Sequence, residues 1–201
     1  RTHYSIRSHN PMADRFNEKI GFDVYEPYAY ASALFFYSAE ADYRLIPQAL
    51  KYRRDFGSGK YFSRLLGETL AASPLFTDVG LVVPVPLHWT RRWERGYNQA
   101  EVVARVIASC LGAECGPRVL KRNRRTKSQA HVSVREKAGN VSGAFTARAR
   151  KVRALKSYPV HILLVDDVFT TGATLAACHA ALRTCFGPGV RISIATLAFV
   201  A

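Results

Sequence analysis

Long apolar runs are absent from this chain of 201 residues. None approaches the roughly 18–20 residues of a membrane-spanning helix, and no secretory signal is visible. Cysteine is scarce too: Cys110, Cys115, Cys178 and Cys185 lack the paired short spacings of a zinc site. The last two lie on a predicted helix, too far apart for a disulfide. We therefore expect free thiols in a reducing compartment, the cytoplasm, and no membrane insertion.

Acidic residues are also few, with 15 Asp and Glu against 29 Lys and Arg and a formal net charge of +14. The imbalance is concentrated between Arg118 and Lys156, where 39 residues include 13 bases and one acid, Glu136. A block of this kind requires a polyanionic partner, which could be a pyrophosphate, a nucleic acid or an acidic protein. The overall content of 48% hydrophobic and 22% charged residues is ordinary for a globular protein.

The apolar pattern alternates between the periods of strands and helices. The predicted strands lie within 24–37 and at 81–85, 162–165 and 190–200. The predicted helices lie at 42–52, 60–72, 99–111 and 175–186. Such alternation predicts an α/β fold with a largely parallel sheet.

The remaining segments carry weaker signals. Residues 1–20 show little periodicity, and we expect them to cover the surface. Residues 118–150 read as two strands flanking a polar excursion at 123–140. We divide the chain into an N-terminal segment, 1–75, that packs on or caps a core of residues 76–201.

The most specific pattern lies in residues 161–174. The apolar run Ile162–Val165 ends in Asp166 and Asp167, and the sequence Thr-Thr-Gly-Ala-Thr follows at 170–174. Ligands bind beyond the carboxyl ends of parallel strands, and hydroxyls and N–H groups at a helix start bind anions. The pattern therefore predicts a sugar-phosphate site. Receiver domains of response regulators also carry an Asp-Asp pair, but only 34 residues follow Asp167, too few for that fold.

A second pattern follows the strand at 81–85. Pro84 and Pro86 restrict the backbone there, and Arg91 and Arg95 come next. Arginine suits bidentate contacts with phosphate oxygens. These residues predict a second anion-binding segment.

Segment 161–174 resembles the 5-phosphoribosyl 1-diphosphate (PRPP) motif of type I phosphoribosyltransferases. The resemblance implies that the two acids contact the ribose hydroxyls and that the turn and helix start hold the 5-phosphate. The implied PRPP-binding residues are Asp166, Asp167, Thr170, Thr171, Gly172, Ala173 and Thr174. It also implies that Mg²⁺ is held through PRPP near the acids, with no direct protein ligand.

In the same family the loop after the first core strand grips pyrophosphate. The resemblance assigns that role here to Val85, Pro86, Arg91 and Arg95. A flexible basic loop closes over the site in these enzymes, and the excursion at 123–140 occupies its place. Arg124, Arg125 and Lys127 are the implied catalytic residues.

The order of all these segments, from about residue 10 to the end, resembles the ComF/GntX family of phosphoribosyltransferase-like proteins. That family implies a type I phosphoribosyltransferase fold, with a mostly parallel central sheet flanked by helices. It also implies a link to natural competence and the uptake of single-stranded DNA. The four-cysteine zinc ribbon that commonly begins family members is absent from these residues.

Three functions remain open. The chain is a phosphoribosyltransferase that uses Mg²⁺ and PRPP, a competence factor that binds DNA or protein partners, or a nucleotide-sensing regulator. Purine-specific relatives carry an Asp as general base where this chain has Thr170. A hydroxyl cannot accept a proton near neutral pH as a carboxylate can, which leaves the acceptor base or amine unassigned. The oligomeric state is also open.

Overall fold

The structure is a computed structural model that describes residues 11–20, 27–37, 56–87, 96–123 and 143–200. Its helices are α1 (Pro11–Ile20), α2 (Phe56–Ala71), α3 (Gln99–Leu111), α4 (Ala149–Val152) and α5 (Ala173–Phe186). Its strands are β1 (Ala31–Tyr37), β2 (Leu81–Pro84), β3 (Glu114–Cys115), β4 (Leu120–Arg122), β5 (Phe145–Ala147), β6 (His161–Phe169) and β7 (Arg191–Val200). The predicted helix at 42–52 lies outside the described residues.

Five strands form one parallel sheet in the order β1-β7-β6-β2-β3. Strand β6 lies in the middle because its apolar run is buried on both faces, as parallel strands covered by helices require. Strand β1, from the N-terminal part of the chain, pairs with β7 at one edge. The prediction of an α/β fold with a mostly parallel sheet and flanking helices is confirmed.

Helices cover both faces of this sheet. Alternate residues of each strand point to opposite faces, so Leu81 and Val83 join one core while Val82 joins the other. Helices α1 and α5 pack on the first core together with β4 and β5. Helices α2 and α3 pack on the second. Strands β4 and β5 are the two strands predicted within residues 118–150, and the structure shows that they pair antiparallel.

Helix α1 corrects the prediction that residues 1–20 only cover the surface. Pro11 is favourable at a first helical position, where its missing N–H costs nothing. Ala13, Phe16 and Ile20 then recur at helical spacing, and all three are buried. The segment from residue 11 is thus part of the core.

Two element boundaries also differ from the predictions. Helix α2 begins at Phe56, four residues before Lys60, and runs through Gly57-Ser58-Gly59. A helical glycine costs only about 1 kcal/mol, which packing of α2 against α3 offsets. Strand β6 does not end at the acids but continues to Phe169, because β7 keeps pairing with it as far as Phe199.

Candidate functional site

The two acids lie within β6, near the carboxyl end of the sheet. The pairing of β2 with β6 ends at Pro84 and Val165, so Asp166 is the first residue beyond it. Both carboxylates are half-buried. Each accepts a hydrogen bond from the next backbone N–H, Asp166 from Asp167 and Asp167 from Val168, both at 2.9 Å. These bonds fix the orientation of both carboxylates at the edge where parallel sheets bind ligands.

The turn after β6 leads directly into α5. Thr170 is exposed and Thr171 is half-buried, and Gly172 is the N-cap residue with φ of 73°. The carbonyl of Gly172 accepts the first helical bond from Ala176 at 2.8 Å. The N–H groups of the first helical turn have no partner within a helix, and the helix dipole makes that end positive. The turn therefore has the properties of an anion site.

Gly172 has no room for a side chain. A Cβ placed there would lie 2.4 Å from Cγ2 of Ile20 and 2.5 Å from Cζ of Phe169. Its positive φ is also one that residues with a side chain rarely adopt. Glycine is thus required here both by the backbone and by the packing beneath the turn.

The loop after β2 lies beside the acids. The N–H of Val85 donates to the carbonyl of Val165 at 2.8 Å, immediately before Asp166. The buried side chain of Asn98 donates to the carbonyl of Val85 at 3.0 Å, and Asn98 is also the N-cap residue of α3. No role was assigned to Asn98 from the sequence alone. Its bond joins the start of α3 to this loop.

Curated proteins of similar sequence carry related names. The "DNA utilization protein YhgH" of Salmonella typhi is 32% identical over 135 residues, which cover 66% of this chain and 57% of that protein. The "Competence protein F" of Haemophilus influenzae is 29% identical over 143 residues, 69% of this chain and 61% of that protein. The "Competence protein ComFC" of Bacillus subtilis is 28% identical over 120 residues, 60% of this chain and 44% of that protein. These names support the resemblance of the chain to the ComF family. No protein-family model matches the chain, and it spans roughly half the length of these relatives.

The structure brings one part of the expected site together. Asp166 and Asp167 lie in the last part of β6, the 170–174 turn follows β6, and Val85 and Pro86 follow the neighbouring strand β2. The other expected residues lie outside the described part of the chain: Arg91, Arg95, Arg124, Arg125 and Lys127.

A cation of the hairpin formed by β4 and β5 acts on the same region. Burial raises the pKa of the Cys178 thiol well above its ordinary value, and the Asp166 carboxylate raises it further. The Arg122 guanidinium opposes this shift, and it also lies 5.2 Å from the centre of the Phe145 ring. Arg122 and Asp166 thus have opposite effects on the same buried thiol of α5.

The acids suit a magnesium ion that arrives with its ligand. No group of three or more His, Cys, Asp or Glu residues that could hold a metal occurs in the part of the chain that the structure describes. Mg²⁺ usually keeps several of its waters and binds largely through substrate phosphates. The negative charge of Asp166 and Asp167 would favour such an ion nearby without a direct bond to it.

A second polar group, which sequence reasoning missed, lies at the amino end of the sheet. The Nδ1 of His161 is 2.8 Å from Oδ1 of Asp78, and its Nε2 is 2.7 Å from Oγ of Ser193. The Ser193 oxygen also accepts the N–H of Tyr30 at 3.1 Å. Asp78 accepts from Nδ1, so Nε2 accepts the serine hydroxyl.

This Asp-His-Ser group is structural. His161 and Ser193 have 0% exposed surface, so no substrate can reach the serine. Burial lowers the pKa of His161 to about 4, while Arg191 shares the carboxylate of Asp78. The neutral histidine therefore links β6, β7 and the residues before β1.

Among the described residues, no helix is long and apolar enough to span a bilayer.

Proposed function

We propose that this chain binds PRPP together with Mg²⁺ and transfers the phosphoribosyl group to an acceptor, with release of pyrophosphate. The observation that carries the proposal is the arrangement at the carboxyl ends of the neighbouring strands β2 and β6. A half-buried acid pair, an anion-binding helix start and the Val85 loop meet there. These are three chemically different sites, which match the ribose hydroxyls, the 5-phosphate and the pyrophosphate of one ligand.

In the proposed reaction, Asp166 and Asp167 accept hydrogen bonds from the two ribose hydroxyls. The N–H groups and hydroxyls of the 170–174 turn bind the 5-phosphate and hold the sugar in position. Asp166 and Asp167 would hold Mg²⁺ near the site through PRPP, and the ion would supply positive charge that offsets the charge of the leaving pyrophosphate. The bond from C1 to pyrophosphate breaks with its electron pair on the leaving oxygen. The acceptor nitrogen bonds to C1 and loses its proton to water. Thr170 does not take that proton, because a hydroxyl is too weak a base.

Calorimetry with PRPP and Mg²⁺ tests the binding step. Asp166→Asn with Asp167→Asn should abolish binding while the chain stays folded, because both side chains are half-exposed. The matched control is Glu68→Gln with Glu101→Gln, two acids of α2 and α3 that pair with Arg64 and Arg105. Unchanged PRPP affinity in the folded Asp double variant would exclude this site.

An assay of pyrophosphate release with a panel of bases and amines tests the transfer step. Release with one acceptor supports the enzyme. Binding of PRPP without release by any acceptor favours the nucleotide-sensing regulator. We also place the protein in the cytoplasm, because its four cysteines are free thiols.

A second function, binding of single-stranded DNA in competence, has its own observation. Six bases of the hairpin and the region of α4 are exposed: Arg118, Lys121, Arg148, Arg150, Arg153 and Lys156. Relatives are named for competence and DNA utilization. Such a surface attracts a phosphate backbone through counterion release, with little dependence on sequence.

Reversal of three of these charges tests DNA binding. Arg148→Glu, Arg150→Glu and Arg153→Glu together should weaken binding of a fluorescent oligothymidine at least tenfold and reduce its salt dependence. PRPP affinity should be retained. The matched control reverses three exposed bases of α2 and α3: Lys60, Arg64 and Arg105. Equal loss in both triple variants, or no binding at low salt, would leave the basic surface to an acidic protein partner.

A further inference from the structure

Helix α1 packs directly under the turn that we propose binds the 5-phosphate. Its last residue, Ile20, is fully buried. The Cγ2 methyl of Ile20 would be 2.4 Å from a Cβ on Gly172, so it fills the space that a side chain would need there. The backbone of the turn therefore rests on α1, not only on α5.

The same helix contacts the strand ends that lead into the turn. The ring of Phe16 is 4.5 Å, centre to centre, from Phe169 at the end of β6. It is 4.7 Å from Phe199 on the neighbouring strand β7. Phe169 also reaches under Gly172. Both sides of the turn's base are thus packed against one face of α1.

Two other contacts hold α1 in place independently of the turn. The buried Asn17 amide donates to the carbonyl of Tyr28 at 3.1 Å and accepts its N–H at 2.7 Å. The Lys19 ammonium donates to the carbonyl of Val200, and burial lowers the pKa of Lys19. Helix α1 is therefore a fixed support and does not depend on the turn for its position.

We propose that Ile20 and Phe16 are positioning residues for the phosphate turn. This inference rests on the function proposed above. N–H groups bind a phosphate well only when they point to one place before it arrives. Gly172 has no side chain to restrict it, so its neighbours must. Without Ile20 the turn would populate other conformations, and affinity would fall in proportion to the fraction that remains competent.

The test compares the two halves of the ligand. Ribose 5-phosphate engages the turn, whereas pyrophosphate engages the Val85 loop. We expect Ile20→Ala to weaken binding of ribose 5-phosphate and PRPP by about tenfold and pyrophosphate by less than about twofold. Ile20→Val keeps the Cγ2 methyl and should restore binding. The control is Ile107→Ala, which removes an equally buried isoleucine from the opposite core.

Two variants and a second measurement make every outcome decisive. If Ile20→Ala does not fold, Ile20→Leu retains the volume but lacks the Cγ2 methyl and takes its place. Amide hydrogen exchange of residues 170–174 without ligand should be faster in these Ile20 variants than in Ile107→Ala. Unchanged exchange and unchanged ribose 5-phosphate affinity overturn the role of α1. If the unaltered chain binds neither PRPP nor ribose 5-phosphate, the proposed function is wrong. Faster amide exchange of residues 170–174 in the Ile20 variants would even then show that α1 holds the turn in place.

Discussion

Replacement of Gly172 by alanine should destabilise the chain through two separable effects. The first is backbone strain, because an alanine at φ of 73° costs about 1 kcal/mol relative to glycine. The second is a clash, because the new Cβ would lie 2.4 to 2.9 Å from Ile20 and two atoms of Phe169. Overpacking of this kind costs about 1–3 kcal/mol. The expected loss in the free energy of unfolding is therefore about 2–4 kcal/mol.

Gly112 provides the matched control, because it has the strain without the clash. It ends α3 with φ of 64°, and no atom lies within 4 Å of a Cβ placed there. Gly112→Ala should cost only about 1 kcal/mol. Urea unfolding of both variants, followed by circular dichroism, measures the difference. Equal losses would show that Ile20 and Phe169 do not press on the turn, and the packing argument would be refuted.

Three further predictions concern buried polar contacts. Asn98→Ala should lower stability by about 1–2 kcal/mol and weaken pyrophosphate binding, since the Val85 carbonyl loses its donor; unchanged pyrophosphate affinity would remove Asn98 from the site. Ser193→Ala should cost about 1–3 kcal/mol in urea unfolding because it leaves the Tyr30 N–H without its acceptor; a smaller cost would show that the N–H finds another partner. The folded pKa of His161, about 4, lies below the unfolded 6.5, so up to about 3 kcal/mol of stability should be present above pH 6.5 and lost as pH falls through 4. Urea midpoints between pH 4 and 7 that do not flatten in His161→Gln would contradict this assignment.

The sequence predicted those elements whose apolar residues repeat over a long stretch. Helix α3 begins and ends at the predicted residues, Gln99 and Leu111. Strand β7 differs by one residue at its start. In α3 the buried side chains recur at helical spacing, and in β7 a continuous run is buried on both faces, so both patterns are local and readable. The boundary of β6 was wrong because its last residues are held by pairing with β7, which no local pattern encodes.

Helix α1 was missed although its signal is present. Ala13, Phe16 and Ile20 have helical spacing, and Pro11 suits a helix start. The segment is only ten residues long and half of it is polar, so its apolar face is narrow. A search for spacings of three and four residues after a proline would have found it.

The sequence predicted which residues form the candidate site, but it did not predict the packing contacts and hydrogen bonds that hold those residues in place. Asp166, Asp167 and the turn could be identified because the acids, hydroxyls and glycine follow one another in sequence. The contacts of Ile20 with Gly172 and of Asn98 with Val85 join residues that are distant along the chain. Such contacts depend on how the helices pack on the sheet, and local patterns in the sequence do not show that packing.

The strand order has a consequence for synthesis of the chain on the ribosome. Strands β1 and β2 are made early, but in the described sheet they do not pair with each other. In the part of the sheet that the structure describes, β1 pairs with β7, and β2 pairs with β6 and with the two-residue strand β3. The central strands β6 and β7 come from the last 41 residues, 161–201. A nascent chain that stops at residue 160 therefore has exposed strand edges and no sheet centre, a state prone to aggregation that chaperones bind.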